Sequence, residues 1–204
     1  MWRSRDARVR ISPTAVLLLA IFALLAPTVC LLAVLLAAVC HEMGHYLALR
    51  LCGGRVEGLS VSAFGAQMRI RHRERLSYGR EALCVAAGPM VNVTLSWLLS
   101  MAGAQREELY LFAGAQLVLG AFNLLPMTAL DGGRLLWIGV ACLTDPFLAD
   151  KVCRSVTLVI LMALAAGSFA LWLRHGTGFL LLGTAGILCT TVREFALANQ
   201  GITG

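Results

Sequence analysis

The residues best suited to chemistry lie at 41–45, where the chain reads His-Glu-Met-Gly-His. Positions i and i+4 share one face of a helix, so the imidazoles of His41 and His45 can reach one metal ion. Glu42 is placed to take a proton from a water at that metal. The surrounding stretch is apolar, and unpaired ionisable groups are costly in such a helix, so a chance match is a poor explanation. The spacing predicts a zinc site that activates water for hydrolysis.

A catalytic zinc needs a third protein ligand beside an open position. Two candidates are weak: His72 lies among arginines in a polar segment that suits a solvated side chain, and His175 falls on the opposite face of the membrane in the orientation described below. Asp131 follows Pro126 and precedes a Gly-Gly pair, residues that open a helix and expose its backbone. Asp131 could also cap a half-helix over 132–143. We predict that Asp131 is the third ligand.

The composition indicates where such a site is placed. The 204 residues are 59% hydrophobic and 14% charged, and the mean hydropathy is +0.80. Soluble domains are about 45–50% apolar and about 25% charged, so these values indicate a membrane protein. The chain is too short for a membrane domain plus a second ordinary domain. We therefore expect one domain over residues 1–204.

The hydrophobic pattern predicts an all-α membrane protein, a six-transmembrane-helix bundle. The apolar run over 11–51 would be roughly 60 Å long as one helix, twice the hydrocarbon thickness, so it must break at Pro27. The polar stretch over 52–78 alternates with period two and predicts a short interfacial β-hairpin or edge strand. Residues 1–10 are too polar to be embedded. The predicted helices cover about 12–26, 28–51, 80–103, 109–127, 152–173 and 177–192.

The basic residues predict the orientation. With the N-terminus inside, fifteen of the 17 Lys and Arg fall in inner regions, whereas Arg106 and Arg174 fall in outer turns. Such a bias is typical of a multi-pass protein of a bacterial cell membrane with both termini in the cytoplasm. The basic residues cluster at the ends of apolar segments, which favours the lipid bilayer, and not nucleic acid, as their partner.

Three motifs in this order resemble the site-2 protease family of intramembrane metalloproteases. HEMGH lies in the helix over 28–51, GPMVN occupies 88–92 in the next helix, and NLLPMTALDGG follows at 123–133. The resemblance covers roughly 10–195 and is strongest to the sporulation proteases of that family.

The resemblance implies an activity and a set of site residues. It implies a zinc metalloendopeptidase that hydrolyses peptide bonds of membrane-embedded or membrane-associated proteins. A sporulation sigma-factor precursor is one such substrate, and inhibitory or regulatory membrane proteins are further partners. The implied residues are Glu42 as catalytic base, His41, His45 and Asp131 as Zn²⁺ ligands, and a substrate-binding set in which Asn123 and Pro126 position the substrate strand while Gly88 and Asn92 pack against or polarise the site.

Two departures and two alternatives accompany this interpretation. Ala129 stands where the family often has a second proline, so we expect a less rigid loop before Asp131. We find no nucleotide-sensing CBS domain and no room for a PDZ domain, so regulation through them is not expected. An inactive homologue that binds membrane proteins would usually lack the glutamate or a ligand. A metal transporter would show repeated polar residues along its helices and an internal repeat, and neither is visible.

Overall fold

A computed structural model describes the protein over residues 8–11, 26–62, 65–71, 77–103, 106 and 108–175, with isolated positions between 13 and 24. Within these ranges the chain forms five helices and three strands. In chain order they are β1 (Arg8–Ile11), α1 (Thr28–Leu51), β2 (Arg55–Ser62), β3 (Gly65–Arg71), α2 (Tyr78–Gly103), α3 (Glu108–Asn123), α4 (Asp131–Leu143) and α5 (Pro146–His175).

Three of the described helices are long and apolar enough to cross a membrane, namely α1, α2 and residues 146–174 of α5. They support the membrane class that the composition predicts. The prediction of six spans is not supported. Its helices over 12–26 and 177–192 lie outside the described residues, apart from isolated positions, and α3 has only 16 residues, whereas a span needs about 20.

Helices α1, α2 and α3 pack closely because small residues face one another. A Cβ added to Gly44 of α1 would lie 2.7 Å from the Ala87 carbonyl oxygen of α2, and one added to Gly120 of α3 would lie 3.0 Å from Cβ of Asn92. Large apolar side chains such as Val118 are instead exposed on the outside. Small residues inside and large apolar residues outside are typical of helices whose solvent is lipid.

The chain between α3 and α4 is not helical. Helix α3 ends at Asn123, four residues before the predicted end, and α4 begins at Asp131, where the half-helix was predicted from residue 132. A Cβ on Gly132 would overlap the Leu124 carbonyl, and one on Gly133 would overlap the Met127 carbonyl. The loop backbone therefore lies directly against the first turn of α4, and only glycine leaves room for it.

Helix α5 begins at Pro146, six residues before the predicted start. The Asp145 carboxylate accepts a hydrogen bond from the Leu148 backbone N–H at 2.9 Å, and proline suits the first helical position because it has no N–H to satisfy. Further along α5, the Thr157 hydroxyl oxygen accepts a hydrogen bond from the Thr128 backbone N–H at 3.0 Å. Helix α5 therefore holds the loop that precedes Asp131.

The three strands form one sheet in the order β1-β2-β3. Strands β2 and β3 pair antiparallel in the segment where the sequence predicts a hairpin, with a register shift between Val56 and Gly58. Strand β1 pairs parallel with β2, Arg8 lying opposite Gly58, a pairing that the interpretation of residues 1–10 as a polar tail missed. Strand β2 is thus central, and β3 is an edge strand.

Candidate metal centre

Three potential ligand atoms converge between α1 and the start of α4. Nε2 of His41 lies 3.0 Å from Oδ2 of Asp131, and Nε2 of His45 lies 3.2 Å from the same oxygen. The two Nε2 atoms are 3.1 Å apart. The three side chains are between 7% and 22% exposed. The structure therefore brings together the three residues that the sequence predicts as ligands.

The other ring nitrogen of each histidine is held by an acceptor. Nδ1 of His41 lies 2.9 Å from Oδ1 of Asn92, and Nδ1 of His45 lies 2.8 Å from the Cys84 carbonyl oxygen. A carbonyl oxygen can only accept, so the Nδ1 of His45 carries the proton. The amide of Asn92 faces His41 with its oxygen, so the Nδ1 of His41 is also the donor. In the neutral rings both Nε2 atoms then present lone pairs towards Asp131.

This arrangement fits a zinc ion. Two nitrogen lone pairs and a carboxylate oxygen that approach within about 3 Å repel one another unless a cation lies between them. A tetrahedral zinc with bonds of about 2.0–2.1 Å holds its ligand atoms about 3.3 Å apart, close to the three distances observed. Asp131 is not the cap of α4, because Leu130 occupies the N-cap position. The carboxylate is therefore available as a ligand.

Glu42 follows His41 on α1 and is half-buried. Its carboxylate lies close to His45, His41 and Asp131. A carboxylate beside a metal site and partly open to its surroundings is suited to accept a proton from water.

Asn92 is fully buried and supports His41. Its Nδ2 donates to the Ala37 carbonyl oxygen at 3.2 Å and to Oε1 of Gln116 at 2.7 Å, while its Oδ1 faces His41. Both donors are used and no surface is exposed. The structure thus places the Asn92 amide against the His41 ring, and a role of Asn92 in substrate binding stays a prediction.

Gln116 is a member of the site that sequence reasoning missed. It lies in α3, 2% exposed, and its oxygen fixes the orientation of the Asn92 amide. The available signal was an amide inside the apolar run of α3, where an unsatisfied polar group is costly.

Gly88 lies directly against His45. A Cβ at this position would overlap the His45 imidazole, 2.6 Å from Cε1 and closer still to Nε2. Gly88 therefore packs against the His45 ring, and its assignment to the substrate-binding residues stays a prediction.

The remaining predicted residues lie near the loop that leads to Asp131. Asn123 ends α3, and its Nδ2 donates to the Leu119 carbonyl oxygen in its own helix at 3.0 Å. Pro126 is half-buried in the loop. Their role in substrate positioning stays a prediction. Of the two rejected ligand candidates, His72 lies outside the described residues, and His175 is the last residue of α5.

Residues 29–107, which carry both histidines, Glu42 and Asn92, match the profile of Peptidase family M50. This part of the chain is similar to peptidase family M50. The resemblance to the site-2 proteases is thereby confirmed. The matched residues include His41 and His45, whereas Asp131 lies beyond them.

Individual relatives support the same assignment. Stage IV sporulation protein FB of Bacillus subtilis is 25% identical over 141 residues, which are 67% of this chain and 49% of that protein. Rip3 of Mycobacterium tuberculosis is 34% identical over 118 residues, 52% of this chain and 29% of that protein. The chain thus spans half the length, or less, of these curated relatives.

The fold is that of a site-2 protease. The solved structure of the Site-2 Protease from Methanocaldococcus jannaschii superposes with a TM-score of 0.67 at 20% identity, covering 95% of this chain and 93% of that one. The chain is therefore a membrane protein with a site-2 protease fold.

Proposed function

We propose that this chain is an intramembrane zinc metalloendopeptidase that hydrolyses peptide bonds of membrane-embedded or membrane-associated proteins. The observation that supports this most is the convergence of His41, His45 and Asp131 with both Nδ1 atoms held by acceptors. Such a set leaves an open position beside three protein ligands, as in catalytic zinc sites.

Different residues of the site have different roles in the proposed reaction. His41, His45 and Asp131 would hold the zinc ion, which polarises a peptide carbonyl and lowers the pKa of a water when bound. Glu42 accepts the proton of the attacking water and later donates it to the leaving amine. Asn92 and the Cys84 carbonyl keep the two imidazoles in the tautomer that binds metal.

Substrate binding is assigned to the sheet. A peptide bond in a helix is already hydrogen-bonded and sterically covered, so a transmembrane substrate must unwind before it is cut. Strand β3 is an edge of the three-stranded sheet, and an extended segment can pair with the backbone of such an edge. The loop over 123–130 would position the same segment, through Asn123 and Pro126.

The orientation and biological context follow from charge and relatedness. The fifteen-to-two distribution of basic residues supports cytoplasmic termini and a site reached from the cytoplasmic side of a bacterial cell membrane. Similarity to a sporulation protein makes a sporulation sigma-factor precursor one candidate substrate and membrane-bound regulatory or inhibitory proteins candidate partners.

Co-expression with tagged candidate substrates tests the proposal. The wild type should convert a substrate to a shorter product, and Glu42→Gln should not, because an amide cannot accept the proton from water. Glu42→Gln should nevertheless hold zinc, since Glu42 is not among the three converging ligands. Equal product from both forms contradicts the assigned base. Tight association with a membrane protein that neither form cuts would instead favour an inactive binding protein.

A further inference from the structure

A partly buried ion pair joins α2 to α4 beside the metal centre. The guanidinium of Arg134 donates to Oε1 of Glu81 through Nε at 3.0 Å and through Nη2 at 2.6 Å. The Glu81 side chain is 9% exposed, and that of Arg134 is 34% exposed. Two charge-assisted hydrogen bonds to one oxygen restrict the arginine far more than a single exposed contact would.

The pair lies one helical turn from the ligand Asp131 at one end and one turn from Cys84, which holds the ligand His45, at the other. Arg134 follows Asp131 by three residues in α4. Glu81 precedes Cys84 by three residues in α2, and the Cys84 carbonyl accepts the hydrogen bond from Nδ1 of His45. Residues three apart in a helix are neighbours on one face. The ion pair therefore joins the turn that carries Asp131 to the turn that holds His45.

Helix α4 needs such a connection. It has 13 residues, a length at which a helix is marginal without tertiary contacts, and Asp131 is its first residue, where helices fray. The Arg134 backbone N–H donates to the Leu130 carbonyl oxygen at 3.2 Å, which closes the first turn around Asp131. An anchored Arg134 therefore restrains the backbone that positions the carboxylate.

Arg134 is also restrained from its other side. Its guanidinium lies 4.5 Å from the centre of the Trp137 ring, and Nε1 of Trp137 donates to Oδ1 of Asp150 in α5 at 2.7 Å. The arginine is thus held between α2 and an aromatic ring that is itself fixed to α5. Cation–π contact and ion pairing act together on one planar group.

We propose that the Glu81–Arg134 pair positions Asp131 against His41 and His45, and thereby sets how tightly the site holds its metal. Neither residue touches the metal-binding atoms; both are positioning residues. The inference rests on the proposed zinc site. It differs from a general stabilising role, because it predicts a change in the metal site of protein that is still folded.

The test compares zinc release from purified wild-type protein and from Arg134→Gln, Arg134→Lys and Glu81→Gln, using a chelator at a temperature where all are folded. Arg134→Gln and Glu81→Gln should each release zinc about tenfold faster, the lower end of the loss seen when groups behind metal ligands are removed. Arg134→Lys keeps the positive charge but loses the two-pronged guanidinium geometry. Its rate of zinc release should therefore lie between the rates of these two variants and that of the wild type. Arg80→Gln is the matched control, because Arg80 adjoins Glu81 on α2 and is exposed; it should release zinc at the wild-type rate.

The visible spectrum of the cobalt-substituted protein reports on the metal site, and a change in overall stability alone would not alter it. The visible spectrum of the Co²⁺ form should change shape in Arg134→Gln, because a displaced Asp131 alters the coordination geometry. In the double variant Glu81→Gln/Arg134→Gln, zinc release should be about as fast as in either single variant. The two effects should not multiply, because both changes break one interaction.

Two results overturn the inference, and they are distinguishable. Wild-type rates and spectra in Arg134→Gln and Glu81→Gln, even with a lower unfolding temperature, would show that the pair is only structural. Wild-type protein that binds no zinc would refute the proposed metal site itself, and this inference with it.

Discussion

Replacing Gly88 by alanine gives a sharp test of how the metal centre is built. The added Cβ would lie 2.6 Å from Cε1 of His45 and closer still to Nε2, whereas ordinary contacts begin at 3.4 Å, so the ring must move by at least about 0.8 Å. The ring cannot yield easily, because Nδ1 of His45 is tied to the Cys84 carbonyl. The α2 backbone cannot withdraw easily either, because Gly44 of α1 packs against Ala87.

The size of the effect follows from this displacement. Metal and catalytic sites tolerate about 0.5 Å of misplacement, so a shift of about 0.8 Å should weaken zinc binding by about 10–100-fold. Cleavage should fall by about 100-fold, as expected for a reacting group misplaced by about 1 Å. Alanine also favours the helix over glycine by about 0.8–1 kcal/mol, so general destabilisation of α2 is not expected.

The assay measures zinc content after dialysis against a chelator and cleavage of a co-expressed substrate. Gly79→Ala is the matched control, because Gly79 lies on the same helix and a Cβ there meets nothing within 4 Å; it should behave as the wild type. Gly88→Ala with wild-type zinc content and cleavage would refute the close approach of α2 to His45.

Four further outcomes are expected. Purified protein should hold about one zinc per chain, and Asp131→Ala should lose most of it; full occupancy in that variant would exclude the carboxylate as third ligand. Gln116→Leu should cost about 1–3 kcal/mol of stability, measured by thermal unfolding, because it removes an acceptor from the buried Asn92 amide; an unchanged unfolding temperature would argue against that contact. Single proline substitutions over Val61–Ile70 should reduce cleavage while zinc content stays normal, because proline cannot donate to a strand edge, and wild-type rates throughout would move substrate binding to the loop over 123–130. In a cysteine-free background, a cysteine near Arg73 should resist an impermeant thiol reagent in intact cells while one at Gln105 is labelled; labelling near Arg73 would reverse the orientation.

The boundaries of α1 and the start of α4 were predictable from local sequence. Residues 28–51 were predicted as a helix because Pro27 breaks a long apolar run, and the helix occupies Thr28–Leu51. The start of α5 also has a local signal, because Asp145-Pro146 is a typical N-cap residue followed by a proline at the first helical position. The predicted start at about residue 152 rested on the hydrophobic pattern alone.

The pairing of β1 with β2 could not be predicted in the same way. Its two strands are separated by the whole of α1, and whether an N-terminal segment of four residues pairs depends on which strand edge the folded chain places beside it. Local pattern predicts that 52–78 can form strands, but not that Arg8–Ile11 is their neighbour.

The sequence by itself determined the chemistry of the site. Two histidines four apart, a glutamate between them and an aspartate at a broken helix predict a metal site and a base, because ligand type and helical period are local properties. Only the tertiary structure decided what holds these groups in place. Gln116 behind Asn92, the Cys84 carbonyl at His45, and the Glu81–Arg134 pair join residues that lie 24, 39 and 53 positions apart. Such contacts exist because each helix packs against its neighbours at one particular rotation and distance. The small residues at the interfaces set that packing, and no local sequence pattern predicts it.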